Sequence, residues 1–351
     1  MSISAKLKET GYSAFGRMLR FPGLGGRIVS FADGLSLTKR PIPCMIRSPA
    51  PKFQILIYHR VLPERDPFAI SPVSTAEFDR QMGLLRSCFR VVSLDRLTEE
   101  LDAGKLKPGT VCVTFDDGYL DNRQHALPIL KKHGIPATIY LATGFIGTDA
   151  SPWYDKVLRA VRDAKLERVD FAPAGMAGAD LSNPATRAAT AYALLEWLKG
   201  FAPGPRDAHV LDLARALGSP PAAAGRLMLD WDDVRAMRKD GVVFGAHTVT
   251  HPILSTIPES EMDREIGASK AAIESALQEE IRHFAYPNGR AADYTQGTVR
   301  ILEKHGFKTA MTTETGVNGP GSNRFELLRR QPWETDLNSF HFRMLMERLV
   351  A

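Results

Sequence analysis

Hydrophobic and polar positions alternate along this chain with two different periods. Short apolar runs rich in β-branched and aromatic residues, FQILIY (53–58), TVCVTF (110–115), IPATIYL (135–141), VVFGA (242–246), HFAY (283–286) and FKTAMTT (307–313), read as buried strands. Shorter strands are expected at 90–94 and 325–331. Between them lie stretches with helical spacing. Ser74 has Glu77 three residues on, the spacing of a capping box, and Phe78, Met82 and Leu85 follow on one face. Further helices are expected at 94–103, 121–133, 231–240, 258–279 and 294–305, with Gly134 and Gly241 as stops. Strands and helices in alternation predict an α/β architecture built on a parallel sheet or barrel. No internal repeat is read.

The alternation lapses between 148 and 229, where Ala, Pro and Gly dominate and helical patches remain at 153–164 and 185–200. A structureless loop of that length is implausible in a compact domain, so an inserted helical subdomain is expected there. Residues 1–52 stand apart as an N-terminal extension and Pro-punctuated linker, which leaves 53–351 as the main domain. In the extension, Gly16, Arg17 and Arg20 break up any apolar core, so neither a signal peptide nor a membrane span is expected. Its basic, weakly amphipathic character suits peripheral contact with a membrane surface through residues 1–40.

Composition narrows the class. With 44% hydrophobic and 24% charged residues the chain is globular and not disordered. A net charge of +5 over 351 residues, with no dense lysine and arginine cluster, argues against a nucleic-acid partner. Cys44, Cys88 and Cys112 lack metal-type spacing, and an odd, sparse set implies reduced thiols. Together with the missing signal peptide this predicts a cytoplasmic protein, membrane-associated at most.

Chemistry-bearing residues sit where strands end. The 110–115 strand stops at Asp116, Asp117 and Gly118, and an apolar strand does not end in two acids to improve its packing. Gly118 permits a bend, so both carboxylates can face one pocket; the rival reading is an Asp-Gly turn with solvated acids. His59 follows FQILIY, His247 follows VVFGA, and the Asn288 turn follows HFAY. In parallel barrels the C-terminal strand ends are where sites are assembled. His247 and His251, four residues apart, reach one ion if their segment is helical or sharply bent. With a strand-end Asp they make the two-histidine, one-carboxylate set of an open catalytic zinc site, which also suits non-haem iron. Tyr119, Tyr286, Trp231 and Trp333 are candidate sugar platforms.

TFDDG, HTVTH and FAYPNG resemble the first three motifs of the polysaccharide deacetylases, the NodB-homology group of carbohydrate esterase family 4, over about 53–331 less the insertion. The resemblance implies a distorted, incomplete (β/α) barrel. It implies a divalent cofactor, Zn2+ foremost with Co2+, Ni2+ or Fe2+ as alternatives, and hydrolysis of acetyl groups on an acetylated glycan. By motif position Asp116 is the implied base, Asp117, His247 and His251 the metal ligands, and the Asn288 backbone the oxyanion donor. Many members carry an arginine where this chain has Ala285; Arg329 or Arg330, also counted as substrate-binding candidates, is the expected substitute. The usual late Leu-x-His is missing. The early YHRV is similar to the circularly permuted branch that includes exopolysaccharide deacetylases of the poly-N-acetylglucosamine type, which makes His59 the implied acid. The rival function is a catalytically impaired glycan-binding or scaffold protein with this fold. A glycosidase with Asp116 and Asp117 as its acid pair fits worse, because such carboxylates must stand roughly 5–9.5 Å apart across the scissile bond.

Overall fold

The computed structural model describes residues 51–218 and 225–350, and the sheet that organises them begins with FQILIY. In chain order the strands are β1 (Phe53–Tyr58), β2 (Arg60–Leu62), β3 (Pro72–Ser74), β4 (Arg90–Val91), β5 (Thr110–Phe115), β6 (Ala137–Leu141), β7 (Arg168–Phe171), β8 (Met176–Asp180), β9 (Val243–Ala246), β10 (His283–Ala285) and β11 (Thr309–Met311). The main sheet runs β1-β5-β6-β9-β10-β11, with β4 paired to the start of β5, and every pairing is parallel. Its edges are stitched together by the segment expected as the last strand. Leu327 N–H donates to Ala310 O at 3.0 Å, and Arg330 N–H donates to Ile55 O at 2.8 Å. The sheet therefore curls into a distorted, incomplete (β/α) barrel.

Strands of such a barrel are covered on both faces, which is why β1, β5 and β6 are buried at every position. Alternate residues divide between two apolar clusters. Phe53, Ile55, Cys112, Tyr140, Ala285, Met311 and Leu327 fill one. Leu56, Tyr58, Val111, Val113, Phe115, Ile139 and Phe244 join the other, with the surrounding helices. The division places Cys112, Thr114 and Asp116 on one side of β5, and that parity matters for the site.

The helices begin and end for local reasons. Ser74 and Glu77 form the expected capping box of Thr75–Cys88, and Gly134 ends Leu127–His133 in the left-handed region at φ 62°. The helix expected at 121–133 opens instead with a π turn, Asn122–Ala126, because Pro128 has no N–H to give to the preceding turn. Two βα units end alike. Lys132 and His133 close on Asp79 at 2.8 and 2.7 Å, while Lys304 and His305 close on Asp263 at 2.9 and 2.7 Å.

Residues 148–229 contain the helices Trp153–Asp163, Pro184–Leu198 and Pro203–Ala216 and the antiparallel β7–β8 hairpin. The hairpin and third helix were not foreseen, since Ala- and Gly-rich segments carry little strand signal. Arg187 binds the first two helices together by donating to Val161 O, Ala164 O and Leu181 O at 3.2, 2.7 and 2.7 Å. Both ends of the stretch return to the acid turn: Gly147 N–H donates to Leu229 O, and Leu229 N–H to Gly118 O, each at 2.9 Å.

The membrane-surface segment expected within 1–40, and all but the last two residues of the 1–52 extension, lie outside the described residues. Among the described residues no helix is long and apolar enough to cross a membrane. Cys112 is a free buried thiol, but Cys88 is disulfide-bonded, which corrects the expectation of three reduced cysteines.

Candidate active site

The site is made by strand ends that cannot continue as strand. Asp116 keeps the parity of Cys112 and Thr114, so its side chain continues their row. Asp117 would turn away, but its φ of +73° and the φ of +86° at Gly118 bend the chain sharply. A Cβ on Gly118 would lie 2.7 Å from Leu141 Cδ2. Both carboxylates are thereby delivered to one place, each 2% exposed. The backbone is strained around the whole site. Six non-glycine residues have positive φ among the described residues, and Ser71, Asp117, His251 and Asn288 line one cavity while Thr248 lies within HTVTH.

HTVTH is not helical. It is a sharp bend, and the Glu265 carboxylate of helix Glu259–Leu277 holds it, accepting from Val249 N, Thr250 N and Thr250 Oγ1 at 2.8, 2.9 and 2.8 Å. Gly144 allows close approach from the other side, since a Cβ there would lie 2.7 Å from Val249 O. The bend turns both imidazoles inward. His247 Nδ1 lies 2.7 Å from Ala285 O, and a carbonyl only accepts, so the proton sits on Nδ1 and the Nε2 lone pair is free.

Three ligand atoms converge. His247 Nε2 and His251 Nε2 are 3.1 Å apart, and Asp117 Oδ1 is 3.6 and 3.5 Å from them. The edges of a tetrahedron with bonds of about 2.0–2.1 Å are roughly 3.3 Å, so the triangle fits one small cation. Asp117 Oδ1 is buried with no hydrogen-bond partner. Burial and then the Asp116 charge hold the Asp117 carboxyl well above the usual range, while burial pushes both imidazoles down and keeps them neutral. A divalent cation removes that penalty on Asp117.

Asp116 is occupied differently. Burial opposes its ionisation, yet Arg329 grips both oxygens at 2.7 Å and brings its pKa to about 2. It stands beside the triad, Oδ2 4.0 Å from His247 Nε2. Of the two arginines proposed to replace the one absent at Ala285, Arg329 makes the contact, and it is not a substrate-binding residue. His59 faces the same cavity with its Nδ1 buried and unpartnered. Burial, Arg329 and His247 outweigh Asp116 and lower its ring pKa to about 4.

The cavity, about 840 Å³, is lined by these groups, by Asn288, and by Trp153, Tyr192 and Leu195 from the insertion. Trp333 lines it too and is 62% exposed, as a sugar platform requires. The other candidate platforms do not line it. Tyr119 is fully buried, donates its hydroxyl to Asp155 at 2.8 Å and lies under the Arg60 guanidinium. Tyr286 is fully buried, stacks on Tyr294 and donates to Phe325 O. Trp231 opens helix Trp231–Lys239 and packs against the core. Arg330 pairs with Glu334 and Glu347 on the C-terminal side, 2.5 and 3.5 Å away. Burial claimed each because a large side chain at a strand or helix end covers apolar surface first. The sequence reading missed Glu265, Trp153 and Tyr154. Only Glu265 left a signal, as an acid on the face of its helix that carries Met262, Ile266 and Ile273.

The family model for "Polysaccharide deacetylase" matches residues 103–310. The chain is 22% identical over 281 residues to YxkH of Bacillus subtilis (strain 168), a protein assigned by name to the polysaccharide deacetylases, covering 79% of this chain and 70% of that one. Its fold is similar to that of the Streptococcus pyogenes deacetylase PplD, solved with acetate, at a TM-score of 0.57 and 20% identity over 84% of this chain and 98% of that one. It is likewise similar to IcaB from Ammonifex degensii, at a TM-score of 0.56 and 23% identity over 86% and 98%. His59 and Arg329 fall outside the segment that the family model matches.

Proposed function

Because this chain belongs to the polysaccharide deacetylase family, we propose that it is a metal-dependent hydrolase that removes N-acetyl groups from acetylamino sugars of a polysaccharide or a lipid-linked glycan precursor. The observation that carries this reading is the convergence of Asp117 Oδ1, His247 Nε2 and His251 Nε2 within 3.1–3.6 Å, beside a separate ionised carboxylate. Asp117, His247 and His251 would hold the ion, with Zn2+ the best match for two imidazoles and one carboxylate. Bound there, a divalent ion supplies Lewis-acid polarisation of the acyl oxygen and acidifies water.

The chain's own residues divide the remaining work. Asp116, ionised and held in orientation by Arg329, accepts the proton of the attacking water. The backbone N–H of Asn288, in a turn pinned by Thr313 Oγ1 donating to Asn288 O at 2.7 Å, is the oxyanion donor. His59 passes to the departing amine the proton that Asp116 takes from the water; its ring is neutral at pH 7 and carries that proton only within the turnover. The cavity walls exclude water, and Trp333 receives a sugar face. The scaffold reading was motivated by Ala285, and Arg329 removes that motive by gripping the base from the extended segment that bridges β11 and β1 at Leu327 and Arg330.

The test is acetate release from polymeric and lipid-linked acetylamino sugars with zinc, cobalt or nickel added back. Asp116→Ala and His59→Ala should abolish release while the ion stays bound, and His247→Ala or His251→Ala should lose the ion itself by elemental analysis. Full activity in the Asp116 or His59 variant ends that role. The bonded Cys88 fits an oxidising compartment better than the cytoplasm expected from sequence. Thiol counting on the protein isolated under alkylating conditions decides between the two.

A further inference from the structure

We propose that Trp153, the first residue of the inserted helix Trp153–Asp163, binds the glycan next to the acetamide, with its indole N–H as hydrogen-bond donor to it. The inference rests on the deacetylase reading and adds a substrate contact that the insertion supplies. Both residues line the cavity, and each is only 6% exposed. Trp153 Nε1 is nevertheless buried without any hydrogen-bond partner, whereas the Tyr154 hydroxyl faces the Asp117 carboxylate. The great majority of buried polar side-chain atoms are paired, so an orphan on a cavity wall needs an account. An indole nitrogen only donates, and sugar hydroxyls and acetamide carbonyls accept.

The Trp153 ring is held in place by its neighbours. The Arg206 guanidinium lies 4.8 Å from the Trp153 ring centroid. The Trp153 and Tyr154 rings meet edge to face at 5.5 Å, and Tyr154 meets His251 in the same way at 5.1 Å. Contact with His251 puts Tyr154 at the acyl end of the cavity, with Trp153 as its neighbour. Trp153 thus presents an apolar body to the protein and a polar tip to the ligand.

Trp153→Phe keeps an aromatic ring and removes the donor. With the zinc-loaded enzyme and an N-acetylglucosamine pentamer, it should raise KM roughly tenfold, the value of one lost hydrogen bond. Zinc affinity, read by chelator competition, should match that of the parent. Wild-type KM in this variant overturns the proposal. So does weakened zinc binding with activity restored by added zinc, which makes Trp153 a support for the ligand set and no substrate contact. A second reading needs no variant to turn over substrate. Among the four indole N–H resonances, the one lost in Trp153→Phe should shift when the pentamer binds wild-type protein, and a bound pentamer that leaves it unmoved overturns the proposal. Failure of the parent reading is visible separately. A wild-type enzyme that binds the pentamer without releasing acetate from any acetylated glycan contradicts deacetylation, while the indole shift still decides the role of Trp153.

Discussion

Arg329 reaches Asp116 across 213 positions of sequence, and both side chains are almost wholly excluded from water. Removing one partner of such a pair strands a buried charge, which costs about 3–5 kcal/mol. Arg329→Met is therefore expected to lower the melting temperature and to cut kcat/KM by roughly a hundredfold, as other losses of an orienting partner do, with zinc content unchanged by elemental analysis. Lysine should not rescue it, since an ammonium cannot grip two oxygens in parallel. His59 gives a pH prediction. A free imidazole loses its proton near pH 6.5, but burial, with the Arg329 guanidinium nearby, brings this ring to about 4. As a lowered histidine it is already neutral across pH 5–8. The kcat/KM profile is expected to show no limb near 6.5, and a limb there contradicts the assignment.

At the scale of the element, the HTVTH bend depends on a helix that provides no ligand. Glu265 satisfies two backbone N–H groups and one hydroxyl of that bend. Glu265→Ala leaves both N–H groups in a partly buried bend without their acceptor, at about 1–3 kcal/mol each. It should also weaken zinc binding about ten- to a hundredfold, the usual effect of losing a group that orients ligands, as read by competition with a chelator. Thr248 and His251 lie at positive φ, so the bend is held against local preference and slackens when its clamp is removed. The capping box at Ser74 and the stop at Gly134 were legible because they are written within four residues. The β7–β8 hairpin was not, because MAGAD lacks the branched and aromatic residues that mark strands.

Over the whole molecule, the three candidate ligands bring together an early strand end and a turn more than a hundred residues later. An ion that binds only this assembled site stabilises the folded chain by mass action. With zinc at about a thousandfold its Kd the gain is about 4 kcal/mol, so the melting temperature should rise by roughly 5–10 °C. His251→Ala should abolish the rise, and a rise that persists in that variant places the ion elsewhere.

Strand and helix periods, capping residues and the acids and histidines at strand ends were all readable in one dimension, because each depends on neighbours within a turn or on burial along a single strand. That reading located Asp116, Asp117, His59, His247, His251 and Asn288, and the structure brings them to one cavity. It gave equal weight to Arg329 and Arg330, and it counted Tyr119, Tyr286 and Trp231 as platforms. Adjacent arginines on a strand point to opposite sides, and only the register against β1 and β11 decides which side holds Asp116. In the same way only packing decides whether an aromatic ring covers the core or a ligand. The closing of the sheet by 327–330, the clamp at Glu265 and the aromatic wall supplied by the insertion belong to the tertiary structure, because they join segments whose separation along the chain leaves no local pattern.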